Sequence, residues 1–216
     1  MSSLFMLTLL VGLLVAVAKL GTDLGRHAKD SLSQSVTTDM TISEFINLER
    51  GKRKTGTKYL LQEQTIRSLG NRYIGRFDAI VASWEEAPLL HVVLERKFPT
   101  TYLPHKALSE DMFQLGLYAL ALLESGMSCS STSLAVTYCL QDTAIRCMQR
   151  SGSRDCSRCR EGQTFTRAFR PKEVLVTLSR LNEVWYGERP PKPRSAPEVC
   201  RRCPFEASGV CNHSRT

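Results

Sequence analysis

Apolar and polar positions along the chain follow three rhythms. Residues 4–18, LFMLTLLVGLLVAVA, are apolar except for one Thr and one Gly, and no charge appears before Lys19. Residues 21–41, GTDLGRHAKDSLSQSVTTDMT, are rich in Ser, Thr, Gly and Asp without a strong period, as expected of a tether with some helix near its start. From Ile42 onward, helical and strand periods alternate. ISEFINLER (42–50) spaces its apolar residues for a helix, and the basic loop GKRKTGTK follows. KYLLQEQTIRS (58–68), YIGRFDAIVAS (73–83) and LLHVVLERK (89–97) read as a three-strand meander. SEDMFQLGLYALALLESG predicts a helix from Ser109, with Ser109 as cap, Glu110 and Asp111 in the first turn and Gly126 as the stop. SLAVTYCLQ (133–141) and TAIRCMQR (143–150) suggest a further strand pair, and KEVLVTLSRLNEVWYG (172–187) a last helix. This order predicts a mixed α/β sandwich rather than a repeating βαβ fold.

The first rhythm predicts a membrane anchor over residues 1–20, followed by a linker over 21–41 and a folded domain over 42–216. Lys19, Arg26 and Lys29 lie on the C-terminal side of the apolar run, which places that domain in the cytoplasm. Two other readings stay open. Ala16-Val17-Ala18 has the form of a signal-peptide cleavage site, and an apolar helix can also belong to a core.

The chain has 216 residues, room for one ordinary domain plus an appendage. Its net charge of +8 favours a polyanionic partner such as nucleic acid or anionic lipid. All 8 cysteines lie in the second half, two pairs with CxxC spacing, which in a reducing compartment suits metal or iron–sulfur ligation better than a disulfide framework.

The meander carries the candidate chemistry. Asp78 interrupts YIGRFDAIV, and Glu95 and Lys97, two apart on one strand, emerge on the same face. If the two strands pair, Asp78 approaches Glu95, and both stay ionised only with a cation between them. Carboxylate oxygens suit Mg²⁺ or Mn²⁺, with Lys97 orienting water or neutralising developing charge, a constellation for phosphodiester hydrolysis. Gln114 and Tyr118, four apart on the next helix, can look toward the same site. The plainer reading makes all of them solvent-facing strand residues or the edge of a core.

The ordered set GRFD (75–78), LERK (94–97), QLGLY (114–118) and CRRCPFEASGVC (200–211) resembles the PD-(D/E)xK nuclease superfamily. The RecB-like branch, which holds the CRISPR-associated exonucleases and iron–sulfur nuclease domains of AddB type, is the nearest in motif. The resemblance covers about residues 42–212. It implies a restriction-endonuclease-like core, a mixed central sheet flanked by helices. It further implies Mg²⁺ or Mn²⁺ on Asp78 and Glu95, catalysis by Lys97, and nucleic-acid contact by Gln114 and Tyr118. It also implies a [4Fe–4S] cluster on a C-terminal set that here is Cys200, Cys203 and Cys211. No cysteine precedes Cys129 to supply the family's usual fourth ligand. Many members carry a histidine on a helix ahead of the meander; here the one early histidine is His27, with Glu49 as a substitute.

The fourth thiolate could come from Cys156 or Cys159 in the insert RSGSRDCSRCREGQ, and a zinc ribbon on the two CxxC pairs is equally drawable. Either centre would serve folding rather than chemistry; free thiols without metal are the alternative. Cys129, Cys139 and Cys147 are expected to pack as ordinary side chains. Arg150, Arg154, Arg158, Arg160, Arg167 and Arg170, with Arg201 and Arg202, and separately Lys52, Arg53 and Lys54, could track a phosphate backbone, or form solvated basic loops. The expected function is a membrane-tethered, metal-dependent DNA nuclease, an exonuclease acting on single-stranded DNA or single-stranded ends. With no helicase motif in the chain, a helicase or other DNA-processing partner would supply any unwinding. The alternative is a non-catalytic nucleic-acid-binding or scaffold module on the same fold with a structural zinc.

Overall fold

The computed structural model describes residues 6–10, 24–151, 161–190, 197–209 and 211–212. The chain divides into two units, Met1–Val174 and Leu175–Thr216.

The first unit is built on a six-stranded sheet in the order β1-β2-β3-β4-β5-β6. Its strands are β1 (Val36–Thr37), β2 (Lys58–Ser68), β3 (Tyr73–Trp84), β4 (Pro88–Lys97), β5 (Ser133–Tyr138) and β6 (Gln163–Ala168). β2, β3 and β4 form the antiparallel meander, β4 and β5 run parallel, and β6 returns antiparallel on β5. Near-continuous apolar runs such as AIVASW and LLHVV give β3 and β4 buried stretches on both faces, as expected of central strands.

Helices cover both faces. α1 (residues 24–34) packs Ala28 and Leu32 against Leu60, Ala79, Val81, Val92, Leu94 and Ala135. Leu94 therefore faces α1, and its neighbour Glu95 bonds to Gln114 of α3 (Ser109–Glu124), so α1 and α3 lie on opposite faces. α2 (Ile42–Ile46) starts in a capping box, Thr41 with Glu44. α3 has no side-chain cap: Leu108 occupies the cap position, not Ser109, and the Leu108 N–H donates to the Tyr138 hydroxyl at 3.0 Å. At its other end Gly126 adopts φ 100, Gly126 N–H donates to the Leu123 carbonyl and Met127 N–H to that of Leu122. This Schellman closure is the stop that Gly126 predicted. The chain continues through α4 (Gln141–Ser151) and α5 (Pro171–Trp185), which crosses the division between the units; α6 (Pro197–Cys200) and α7 (Pro204–Ala207) belong to the second.

Three sequence expectations need correction. The N-terminal transmembrane helix of the expected fold class, and with it the membrane-anchored localisation, is withdrawn, because no helix among the described residues is long and apolar enough to cross a membrane. The apolar run of 15 residues (4–18) would rise about 22 Å as a helix, short of a roughly 30 Å hydrocarbon core. Of that segment residues 6–10 are helical; residues 1–5 and 11–23 lie outside the described residues. The stretch assigned to a tether supplies α1 and β1, since Ala28, Ser31 and Leu32 recur at helical spacing and find a sheet to cover. The strand expected at 143–150 is helix α4: its alternation of small apolar and polar residues is short, and Ala144, Arg146, Met148 and Gln149 are helix formers. The partner of β5 is β6 instead.

Candidate functional site

The site forms where the meander opens. The β3–β4 ladder runs Val81↔Val92, Ile80↔Val93, Ala79↔Leu94 and stops there. Asp78 and Glu95 come one step past that last pair, Asp78 midway along β3 and Glu95 near the end of β4. On the other side of β3, the ladder to β2 runs Gln62↔Ala79 and Gln64↔Phe77 and skips the pair between them, Glu63 and Asp78. Beyond Leu94, β4 stays in the sheet through β5, with Glu95 beside Val136 and Lys97 beside Tyr138. β4 is thus held rigidly by one neighbour while it parts from the other.

Four predicted residues converge on the α3 face. Lys97 Nζ donates to Glu95 Oε1 at 2.9 Å and to Gln114 Oε1 at 2.8 Å. The Gln114 amide donates to Glu95 Oε1 at 3.1 Å and to the Tyr118 hydroxyl at 2.5 Å. Tyr118 lies against Phe77 edge-to-face, with centroids 6.4 Å apart. A Cβ at Gly75 would stand 2.5 Å from the Tyr118 ring, so the glycine makes the room that brings this tyrosine onto β3. Asp78, the fifth, accepts from the Arg96 backbone N–H at 2.6 Å and pairs with the Arg96 guanidinium at 3.4 Å.

Asp111 is the residue that sequence reasoning missed. It lies in the first turn of α3, nearly buried, 3.6 Å from Lys97 Nζ. The Tyr138 hydroxyl donates to its other oxygen at 2.5 Å. Burial and the Asp111 hydrogen bond push the Tyr138 phenol up to about 12, so it remains a donor. A first-turn acid is ordinary in a sequence, and the signal that it points inward lies in a tyrosine 27 residues downstream.

The Glu95 carboxyl is raised above the usual range, chiefly by burial. The Lys97 hydrogen bond opposes that shift, and the negative charges of Asp78 and Asp111 add to it. Burial works to lower the Lys97 ammonium, but the hydrogen bond and charge of Glu95, with Asp111, outweigh it and the net shift is upward. Tyr118 is raised, mainly by burial. A raised folded-state pKa means that the native protein holds the Glu95 proton more tightly than the unfolded chain. The stability this lends is complete below the ordinary carboxylate pKa and is lost as pH rises through the folded value. Metal-free Glu95→Gln, which carries no charge to desolvate, is therefore expected to melt at or above the wild-type temperature at pH 7. Its advantage should shrink toward acid pH. Thermal melting with chelator present checks this, and a clearly lower melting temperature at pH 7 would contradict it.

Whether a divalent cation suits this donor set is decided by Glu95. Its Oε2 is buried and accepts no hydrogen bond among the described residues, the kind of orphan that a cation satisfies. Carboxylate oxygens from Asp78 and Glu95, completed by backbone carbonyl and water, are hard ligands that fit Mg²⁺ or Mn²⁺. No group of three His, Cys, Asp or Glu side chains is gathered for a metal among the described residues, so the site offers two carboxylates rather than a cage.

The cysteines and basic clusters lie elsewhere in the chain. In the second unit Cys200, a free thiol, is buried at the end of α6, Cys203 precedes α7, and Cys211 follows it with its N–H on the Phe205 carbonyl at 3.1 Å. Cys156 and Cys159 lie outside the described residues, as do Arg154, Arg158 and Arg160. Cys129 and Cys139 are buried, and Cys147 is half-buried. Arg53 is drawn into packing, its guanidinium 3.8 Å over the Trp84 ring. Lys52 pairs with Glu49 at 3.1 Å with both side chains exposed. Arg167 and Arg170 both pair with Glu173, at 2.6 and 3.1 Å. His27 stands on α1 with its ring 6.2 Å from that of His91, on β4 four residues before Glu95.

No family model matches the chain, and no curated protein matches it. A crystal structure of a protein designated SSO0001 aligns with 76% of this chain and 62% of its own at 16% identity, with a TM-score of 0.39. This chain thus spans less than two thirds of that protein, and a likeness at this level supports no argument.

Proposed function

We propose that the chain is a divalent-metal-dependent DNA nuclease of the PD-(D/E)xK type, cutting phosphodiester bonds at Asp78, Glu95 and Lys97. The observation that carries the reading is Glu95 Oε2, buried and without a hydrogen-bond partner among the described residues, near enough to Asp78 to feel its charge and bridged on its other oxygen to Lys97 and Gln114. When bound, the cation supplies Lewis-acid stabilisation of the phosphoryl group and makes water acidic enough to attack at neutral pH. The protein's own groups do the rest. Lys97, held charged by Glu95 and Asp111, serves as a fixed donor to the attacking water or the developing phosphoryl charge, not as a general base. Gln114 locks the Glu95 and Lys97 rotamers together. The Tyr118 hydroxyl accepts from Gln114, and its own proton is left to donate to a substrate phosphate. Single-stranded DNA, or duplex with single-stranded ends, is the proposed substrate.

Labelled single- and double-stranded DNA incubated with the full chain in Mg²⁺ or Mn²⁺ tests this. Cleavage that chelator abolishes is expected, and intact DNA in every condition overturns it. One observation favours a second reading, a non-catalytic nucleic-acid-binding module: both carboxylates already have cationic partners, Arg96 and Lys97. That reading expects DNA binding without cleavage.

For the C-terminal cysteines we propose a cysteine-ligated centre, a [4Fe–4S] cluster or alternatively Zn²⁺, on Cys200, Cys203 and Cys211 with Cys156 or Cys159. The support is the CxxC pairing in the sequence and three free thiols within a dozen residues. Anaerobic purification is expected to give brown protein with iron and acid-labile sulfide, or colourless protein with stoichiometric zinc. Cys200→Ser should lose the metal, and metal-free wild type would contradict both centres.

A further inference from the structure

Resting on the nuclease reading, we infer that Glu63 is a positioning residue that holds the Arg96 guanidinium aside, so that Asp78 keeps an oxygen for the cation it shares with Glu95. Arg96 stands between Glu95 and Lys97 in the LERK motif, and its side chain is almost wholly buried. Its backbone N–H already holds Asp78 Oδ2 at 2.6 Å, so the guanidinium is not needed to place that carboxylate. Left alone beside Asp78, a buried cation would collapse onto the carboxylate and compete with a metal for its charge. Instead Arg96 Nη2 stands 2.9 Å from Glu63 Oε1, and the longer contact, 3.4 Å from Nε, is the one to Asp78. Arg76 Nη2 engages the second oxygen of Glu63 at 3.2 Å, which fixes the carboxylate between two arginines.

The backbone at Glu63 supports a purpose beyond a surface ion pair. Glu63 adopts φ 53, a left-handed conformation unfavourable for any residue with a Cβ. It does so at the one step where the β2–β3 ladder is skipped, opposite Asp78. Nothing in a plain antiparallel ladder needs this, and glycine or asparagine would adopt it more readily. Keeping glutamate there places a carboxylate where a regular strand would not, within reach of Arg96. Such local strain is typically retained where a site depends on it.

The test is Mn²⁺ affinity of the full chain without DNA, read by electron paramagnetic resonance of free Mn²⁺. Glu63→Gln, isosteric and uncharged, is expected to weaken Mn²⁺ binding several-fold. The double variant Glu63→Gln/Arg96→Met, in which no guanidinium remains to compete, should recover it. A merely structural Glu63 would show no such recovery. Unchanged affinity in Glu63→Gln, or a double variant no better than the single, overturns the inference while leaving the nuclease reading intact. Wild type that binds no Mn²⁺ overturns both. Circular dichroism melts confirm that the variants compared are folded.

Discussion

Replacing Glu95 with glutamine, or Lys97 with alanine, is expected to cut the rate of DNA cleavage by roughly 10²–10⁴-fold, the range for losing a positioned acid–base or charge-stabilising group. DNA binding should be largely retained. Glu95 does two things that no neighbour can take over. Its Oε2 is the buried acceptor left for the cation, and its Oε1 holds Lys97 and Gln114 in place. The amide of glutamine preserves the second role in part and abolishes the charge on which the first depends. Lys97→Ala removes the only ammonium bonded to Glu95 among the described residues and leaves Asp111 without its cationic neighbour. Single-turnover cleavage of labelled DNA, beside a binding assay on the same substrate, separates these effects. Retained cutting in both variants would exclude the assignment, and loss of binding in step with cutting would move these residues from chemistry to recognition.

The second large effect is on stability. Phe77→Ala is expected to destabilise the first unit by about 3–5 kcal/mol, because the ring is wholly buried and its removal leaves a cavity that strands cannot close. That is a large share of the roughly 5–15 kcal/mol that holds an ordinary domain together. Phe77 also backs the site: it precedes Asp78 on β3 and meets Tyr118 edge-to-face. The variant should therefore bind and cut less well even at temperatures where it is folded, as Tyr118 tilts into the vacated space. Urea denaturation measures the first effect, and a loss under about 1 kcal/mol would mean that Phe77 is not the keystone its burial indicates.

The sequence disclosed as much of this as its short-range patterns could carry. The meander was legible because the alternation in KYLLQEQTIRS and the apolar runs of β3 and β4 are long and bounded by turns. Glu95, Lys97, Gln114 and Tyr118 were legible as a group because two-residue and four-residue spacings fix faces without knowledge of the fold. Asp111 and Glu63 were not. The first depends on a hydroxyl from β5 and the second on an unusual φ, and neither leaves a local signature. The N-terminal apolar run misled because apolar character without sufficient length does not make a span, and the stretch 143–150 because a short pattern with two possible periods is resolved only by what it packs against. Helix α1 shows this, since its apolar residues are too few to announce a helix and just enough to cover Val92 and Leu94.

The decisive measurement is a Mn²⁺ anomalous difference map from crystals of the full chain. A peak is expected within coordination distance, about 2.0–2.2 Å, of carboxylate oxygens of both Asp78 and Glu95, with Glu95 Oε2 among them. A map without a peak there at saturating Mn²⁺, or with the ion held by only one of the two acids, would contradict a cation shared by both.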